Sequence, residues 1–454
     1  MRFLARFIAI MAALQFLAAQ PAAAQQTSVL RDAETEALFR DLVDPLAEAA
    51  GLGKGNVDVV LVYDNSINAF TQGGQRIFVN SGLIEEADTA NQVQGVLAHE
   101  LGHVVGGHSI RFDEGIKEAT GMTIVTMLLG VAAAVAGAGE AGMGMVAAGQ
   151  QAAYGKLLAF SRVQEESADA AGVKFLSKAG ISGRGSIEFF KKLENYDYRQ
   201  GYGYSEQDTF AQSHPLTQDR IAALEHDYEQ DPAWNKPPDP QLQARFERIK
   251  AKLYGYLAKP EDTLRAYPAT MDTLPAHYAR AYAFHKDAEL DKALDETRIL
   301  LKSQPDDPYF LELQGQILLE SGHPRDALAP LREATRLTNN QPLIASTFGH
   351  ALIATEDPAN YAEAERVLKA AVVKDRENPD AWYQLGVVYA ARGDLPRARL
   401  ASAEQQAMTG NMMGALQNAT AAERGLPVGS PDALRAGDIE LEARAALERQ
   451  KKHK

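Results

Sequence analysis

A chain of 454 residues with a net charge of −14 is too long for one ordinary domain. It is also too acidic to seek nucleic acid or to be held on anionic lipid by charge alone. The composition is globular, and with no cysteine the fold rests on no disulfides and the redox compartment is not written in thiols.

Residues 1–24 read as a secretory signal peptide. Arg2 and Arg6 make a positive start, Phe7 to Ala19 is apolar, and Ala22-Ala23-Ala24 is a small-residue cleavage site. The mature chain, starting at residue 25, is therefore expected outside the cytoplasm. Leu30, Leu38, Leu42, Val43 and Leu46 recur at helical spacing, so a first helix is predicted over Thr27 to Ala50, ended by Gly51 and Gly53. Val57 to Val62 and Gln75 to Val79 are predicted strands. Between them Ile67-Asn68-Ala69-Phe70 is a candidate edge strand. An edge strand presents unpaired backbone groups, so Asn68, Ala69 and Phe70 either pair with an extended peptide or pack as ordinary sheet.

Gln92 to His108 is a predicted helix ended by Gly106-Gly107, and it carries His99-Glu100-Leu101-Gly102-His103. Two histidines four apart lie on one helical face and reach a single metal ion, while a carboxylate between them is placed to take a proton from water that zinc has made acidic. Ala119 to Gly139 holds no charged residue, and after Glu140 a second uncharged segment runs to Gly155. One membrane span would separate the histidines from any ligand after Lys156, so residues 119–155 are predicted as a helical hairpin. It covers a cleft, dips into a membrane surface as a peripheral contact, or is a buried pair of core helices.

Ser161 to Leu176 is helical again, with Val163, Ala170, Val173 and Leu176 as its apolar side. From Asn195 to Pro215 the chain is irregular and aromatic, with Tyr196, Tyr198, Tyr202, Tyr204 and Phe210. Pro232, Pro237, Pro238 and Pro240 mark a stiff linker over residues 232–241, which closes a first domain at residue 231.

The part beyond it differs in kind. Ala281, Gly315, Gly349 and Gly386 are spaced 34, 34 and 37, and Ala293, Ala327, Ala364 and Ala398 are spaced 34, 37 and 34. A 34-residue period with small residues where helices cross is the mark of tetratricopeptide repeats, here at least four within residues 242–424, with three residues inserted near Asp357-Pro358. Residues 425–454 are expected to be a Gly/Pro-containing linker, then a short charged helix and a solvated basic end.

A catalytic zinc needs a third protein ligand and an open position. His108 lies five residues after His103, one short of the six that a metzincin histidine requires, and is expected on another face. Glu165, on the helix returning from the hairpin, completes a two-histidine, one-glutamate set, or is a solvated helix carboxylate; Glu166 points about 100° away. Asp169, one turn on, is placed to hold a ligand histidine by its far ring nitrogen.

His99-Glu-Leu-Gly-His103 followed by Glu165-Glu-Ser-Ala-Asp169-Ala-Ala-Gly172 resembles the M48 peptidases, and with the signal peptide and the repeats the chain resembles their periplasmic branch. The resemblance implies an α+β zincin-like metalloprotease domain, mostly helical with a small sheet, followed by an all-α tetratricopeptide solenoid. It implies one zinc per chain on His99, His103 and Glu165, with Glu100 as general base. It also implies misfolded or stalled outer-membrane proteins as substrates, and contact of the repeats with the machinery that assembles them. Asn68-Ala69-Phe70 and Ser213-His214-Pro215-Leu216, with Arg220 downstream, stand where such peptidases carry similar segments. For His214 two roles follow, donation to a tetrahedral oxyanion or capping of the metal's open position; Arg220 either does the first job or holds a carboxylate. The intact Glu100 favours an endopeptidase over a chaperone or adaptor with latent proteolysis, and that second reading stays open.

Overall fold

A computed structural model describes residues 28–135, 139–199 and 213–452. The proposed signal peptide and much of the aromatic loop, including Tyr202, Tyr204 and Phe210, lie outside the described residues.

The first domain is built on a four-stranded sheet of β1 (Ser28–Leu30), β2 (Asp58–Tyr63), β3 (Ala69–Thr71) and β4 (Arg76–Asn80) in the order β1-β2-β4-β3. Strand β2 runs parallel to β4, pairing Val60 with Phe78, whereas β1 and β3 are antiparallel outer strands. The predicted first helix is therefore two elements. Ser28-Val29-Leu30 pairs with β2, and helix α1 (Ala33–Ala50) starts only after Asp32, whose side chain accepts from the Thr35 N–H as its N-cap.

Helices α2 (Ser81–Glu86), α3 (Ala90–Gly106), α4 (His108–Val135), α5 (Gly139–Ala179), α6 (Arg184–Arg199) and α7 (Gln218–Glu229) follow. Helix α3, capped by Thr89, is the buried centre: Val93, Val96, Leu97 and Leu101 pack among Leu42 and Leu46 of α1, Val79 of β4 and Phe189 and Phe190 of α6. Its contact with α5 is set by residues without side chains. A Cβ on Gly102 would stand 2.6 Å from the Ala168 carbonyl oxygen, and one on Gly172 would stand 3.3 Å from the Ala98 carbonyl carbon.

The hairpin is formed by α4 and α5, and α5 runs unbroken through the segment predicted as a separate helix at Ser161 to Leu176. The buried face of that segment is Gln164, Glu165, Ala168, Asp169 and Leu176, while Val163 is 64% exposed, because the polar ligand side is the one that packs on α3. The hairpin's arms are not a core pair. Ile124, Val125, Met127, Leu128, Leu129 and Met143 are all more than half exposed. No described helix is long and apolar enough to cross a membrane.

The Pro-rich stretch is no free linker. Trp234 accepts at its carbonyl from Ser182 Oγ and Arg184, whose guanidinium lies 4.8 Å from the indole centroid. Helix α8 (Pro240–Leu257) buries Phe246, Ile249 and Leu253 in the first domain's core, so the repeats begin later than residue 242. After the short α9 (Pro260–Ala266) come the pairs α10 (Leu274–Lys286) and α11 (Leu290–Ser303), α12 (Pro308–Glu320) and α13 (Pro324–Leu337), α14 (Pro342–Ala354) and α15 (Tyr361–Lys374), α16 (Pro379–Ala391) and α17 (Leu395–Met408). A Cβ on Gly315 or Gly349 would meet Leu331 or Leu368 of the paired helix at 2.4 or 2.5 Å, which is why small residues recur with the period. The three-residue insertion is a 3₁₀ turn at Pro358–Asn360. The end of the chain departs from the expected linker: α18 (Met412–Gly425) and α19 (Pro431–Lys452) pack through Ala415, Ala419, Ala436, Ile439 and Ala443, while Lys451 and Lys452 at its end are exposed.

The two domains meet through buried charge. Glu34, fully buried at the start of α1, accepts from the Tyr278 hydroxyl at 2.8 Å and pairs with Arg248 and, at 3.3 Å, with Lys252. Lys252 also reaches Asp32, and Arg248 reaches Asp307 at 2.7 Å. At the rim Arg31 pairs with Asp375 and Arg76 with Glu377. The repeats thus lie against α1, β1 and the outer side of the sheet. Removing one member of a buried ionic group strands its partners, so Glu34→Ala is expected to cost about 3–5 kcal/mol and to separate domain melting into two transitions, read by calorimetry.

Candidate metal centre

The sequence turns His99, Glu100 and His103 inward on α3 because a run of apolar residues buries that helix on nearly every side. His99, Glu100 and His103 are 3%, 1% and 8% exposed. Helix α5 crosses at Gly102, which brings Glu165 against both rings: its Oε2 lies 3.4 Å from His99 Nε2 and its Oε1 3.3 Å from His103 Nε2, with the two Nε2 atoms 3.1 Å apart. His214, entering from the loop before α7, places Nδ1 3.0 Å from Glu165 Oε1 and 3.3 Å from His99 Nε2. One donor atom from each of His99, His103, Glu165 and His214 falls within 4.8 Å of the others. Imidazole nitrogens and a carboxylate oxygen converging on one point suit a borderline cation such as Zn²⁺.

Asp169 Oδ1 lies 2.8 Å from His99 Nδ1, which leaves the Nε2 of His99 to face the cluster. Arg220 binds Asp169 with Nε and Nη2 at 2.5 and 2.8 Å and Glu165 with Nη2 at 3.0 Å. Of its two predicted roles the geometry is that of holding carboxylates. Glu166 is exposed and faces away. Asn68 accepts at Oδ1 from Ser213 Oγ at 3.4 Å, tying the His214 loop to the outer strand β3, in which Ala69 is buried and Phe70 stacks on Phe78 at 5.1 Å.

Burial and partners pull the charges in opposite directions. Burial works against a charge on His99, but the bonds to Asp169 and Glu165 outweigh it and push its pKa up to about 10. For His103 burial wins, and the value falls to about 4. Glu165 is held far below the ordinary carboxylate range despite its burial, by hydrogen bonds from His103, His214 and His99. Asp169, also buried, is brought to about 2 by Arg220 and His99. Glu100 goes the other way: burial raises it, and both its oxygens lack a hydrogen-bond partner, with His214 Nε2 3.4 Å from Oε1. A buried carboxyl raised above its ordinary value by burial, beside side chains that could hold a metal ion, is placed as a candidate proton acceptor.

His108 is the residue that spacing placed elsewhere. It is 4% exposed, and its Nδ1 lies 2.9 Å from His103 Nδ1, so it touches a candidate ligand from behind without joining the cluster. The signal was present in Gly106-Gly107, which reverses the chain before it.

Residues 31–227 match the model of Peptidase family M48. The chain is 26% identical over 375 residues to the beta-barrel assembly-enhancing protease of Yersinia pestis, covering 80% of this chain and 74% of that protein. It is 32% identical over 164 residues to the metalloprotease LoiP of Escherichia coli (strain K12), covering 35% of this chain and 60% of that one. Among solved structures YrrB, described as a TPR protein with an unusual peptide-binding site, is 23% identical with a TM-score of 0.32, over 38% of this chain and 89% of its own.

Because Asp169 bonds both His99 and Arg220, Asp169→Asn is expected to weaken metal binding about 10–100-fold, measured by competition with a chromophoric chelator.

Proposed function

The chain carries an M48 metallopeptidase domain at residues 31–227, and on that premise we propose that it is a zinc-dependent endopeptidase of the cell envelope, working in the periplasm after cleavage at Ala24. Its substrates are misfolded or stalled outer-membrane proteins, held by the repeats or brought to them by the assembly machinery. The likeness to the beta-barrel assembly-enhancing protease of Yersinia pestis supports this substrate class. The exposed apolar hairpin supports peripheral contact with a membrane.

The observation that carries the catalytic reading is Glu100, a buried and unbonded carboxylate on the same helical turn as two histidines that converge with Glu165. His99, His103 and Glu165 would hold one zinc ion. Zinc supplies Lewis-acid polarisation and makes water acidic enough to lose a proton at neutral pH. Glu100 accepts that proton and delivers it to the leaving amine, so the scissile C–N bond breaks as a C–O bond forms. An extended substrate adds to β3 at Asn68 to Phe70, using backbone hydrogen bonds that demand little of its sequence. Asp169 and Arg220 keep the ligand carboxylate and the His99 ring in place.

His214 would shield the site in a resting state. Its Nδ1 lies among the ligand atoms and its Nε2 faces Glu100, where water and substrate must enter. That placement supports a latent enzyme, and it is the observation favouring the chaperone or adaptor reading for the resting form.

Cleavage of a denatured outer-membrane β-barrel protein by the chain lacking residues 1–24 tests the reading. Glu100→Gln at matched zinc content is expected to cut at least about 10²-fold more slowly, and no cleavage by either form would move the chaperone reading ahead. His214→Ala is expected to raise the cleavage rate, measured on the same client; a fall in rate would instead assign His214 to the oxyanion.

A further inference from the structure

The inference rests on the metal-binding reading of His99, His103 and Glu165 and concerns what holds His103. A ligand histidine presents one lone pair to the metal and carries its proton on the other ring nitrogen, and that proton needs an acceptor to fix the ring. For His99 the acceptor is Asp169, at 2.8 Å from Nδ1. For His103 the nitrogen facing the cluster is again Nε2, 3.3 Å from Glu165, so the proton sits on Nδ1. The atom facing it is Nδ1 of His108, at 2.9 Å, with the two rings edge to face and their centroids 4.9 Å apart.

We infer that His108 is a positioning residue for the metal centre: its Nδ1 accepts the Nδ1–H of His103, holding His103 with Nε2 toward the metal. His108 then carries its own proton on Nε2.

The turn before His108 is built for this contact. Gly107 ends α3 at φ +62°, in the left-handed region that glycine adopts without strain, and its N–H closes on the carbonyls of His103 and Val104. The chain reverses at that residue, and the first side chain of α4 folds back over the end of α3. Gly106 supplies the space, since a Cβ there would stand 2.2 Å from His108 Nε2. Both glycines are needed to lay one buried imidazole behind another. The pair is neutral, unlike the charged pair behind His99, so His103 is oriented without a further negative charge beside Glu165.

The test compares His108→Phe, which keeps a ring but no acceptor, with His108→Gln, whose amide oxygen accepts. Zinc affinity of the full mature chain is read by chelator competition, alongside the melting temperature of the metal-free forms. Expected is an about 10–100-fold weaker affinity for His108→Phe and near-restoration, within about threefold of wild type, for His108→Gln. His108→Phe binding as tightly as wild type, or His108→Gln as weakly as His108→Phe, overturns the inference. Should His108→Phe fail to fold, Gly106→Ala pushes the ring off His103 while keeping the imidazole; it is expected to weaken zinc binding, and wild-type affinity overturns the inference. Failure of wild type itself to take up zinc is a separate outcome, which overturns the metallopeptidase reading and this inference with it.

Discussion

Everything at the metal centre depends on how closely two helices approach. Glu165 reaches His99 and His103 because α5 crosses α3 with Gly102 against the backbone of Ala168 and Gly172 against the backbone at Ala98 and His99. A methyl group at the first of these points would meet a carbonyl oxygen well inside van der Waals distance, and interiors packed to crystal density have no slack to absorb it. The carboxylate and the imidazoles would then part. Donor atoms belonging to two helices are thus brought together by two missing side chains, and the sheet and the remaining helices of the domain serve to keep that crossing where it is.

Buried charge is handled in two ways in the same chain. At the crossing, Glu165, Asp169 and Arg220 form a chain of ionic contacts whose open end is a set of imidazoles that could hold a cation. At the domain boundary, Asp32, Glu34, Asp307, Arg248 and Lys252 close on themselves, with the Tyr278 hydroxyl as a further donor. In the second every charged group faces an opposite charge of the protein itself, and desolvating that many charges is tolerable only when each finds its partner.

The convergence of His99, His103 and Glu165 was legible in the sequence because the two histidines lie four apart on one helical turn, and Glu165 lies four before Asp169, which supports His99. The repeats were legible because Gly315 and Gly349 must stay small wherever paired helices touch. Strand β1 was not legible, since three residues carry no period and become a strand only by pairing with β2. Helix α8 was hidden behind four prolines that suggest a stiff linker and a domain boundary, whereas its Phe246 and Ile249 belong to the core of the first domain. The ionic lock at the boundary joins residues such as Glu34 and Tyr278, which no local pattern connects. His108 escaped for a related reason: counting along one helix assumes a straight axis, and Gly107 turns the axis between the two rings.

The exposed hairpin has a mechanical side. Its first arm begins at His108, the residue lying against His103, and its second arm is the same unbroken helix that carries Glu165. Met143 precedes Glu165 by 22 residues, which for a straight helix is about 33 Å. The two arms thus lead to the candidate centre from two sides, one through Glu165 and the other through the imidazole against His103. A surface or chain that engages the exposed apolar residues of either arm, such as Leu128 or Met143, would therefore act along a helix that reaches the candidate centre.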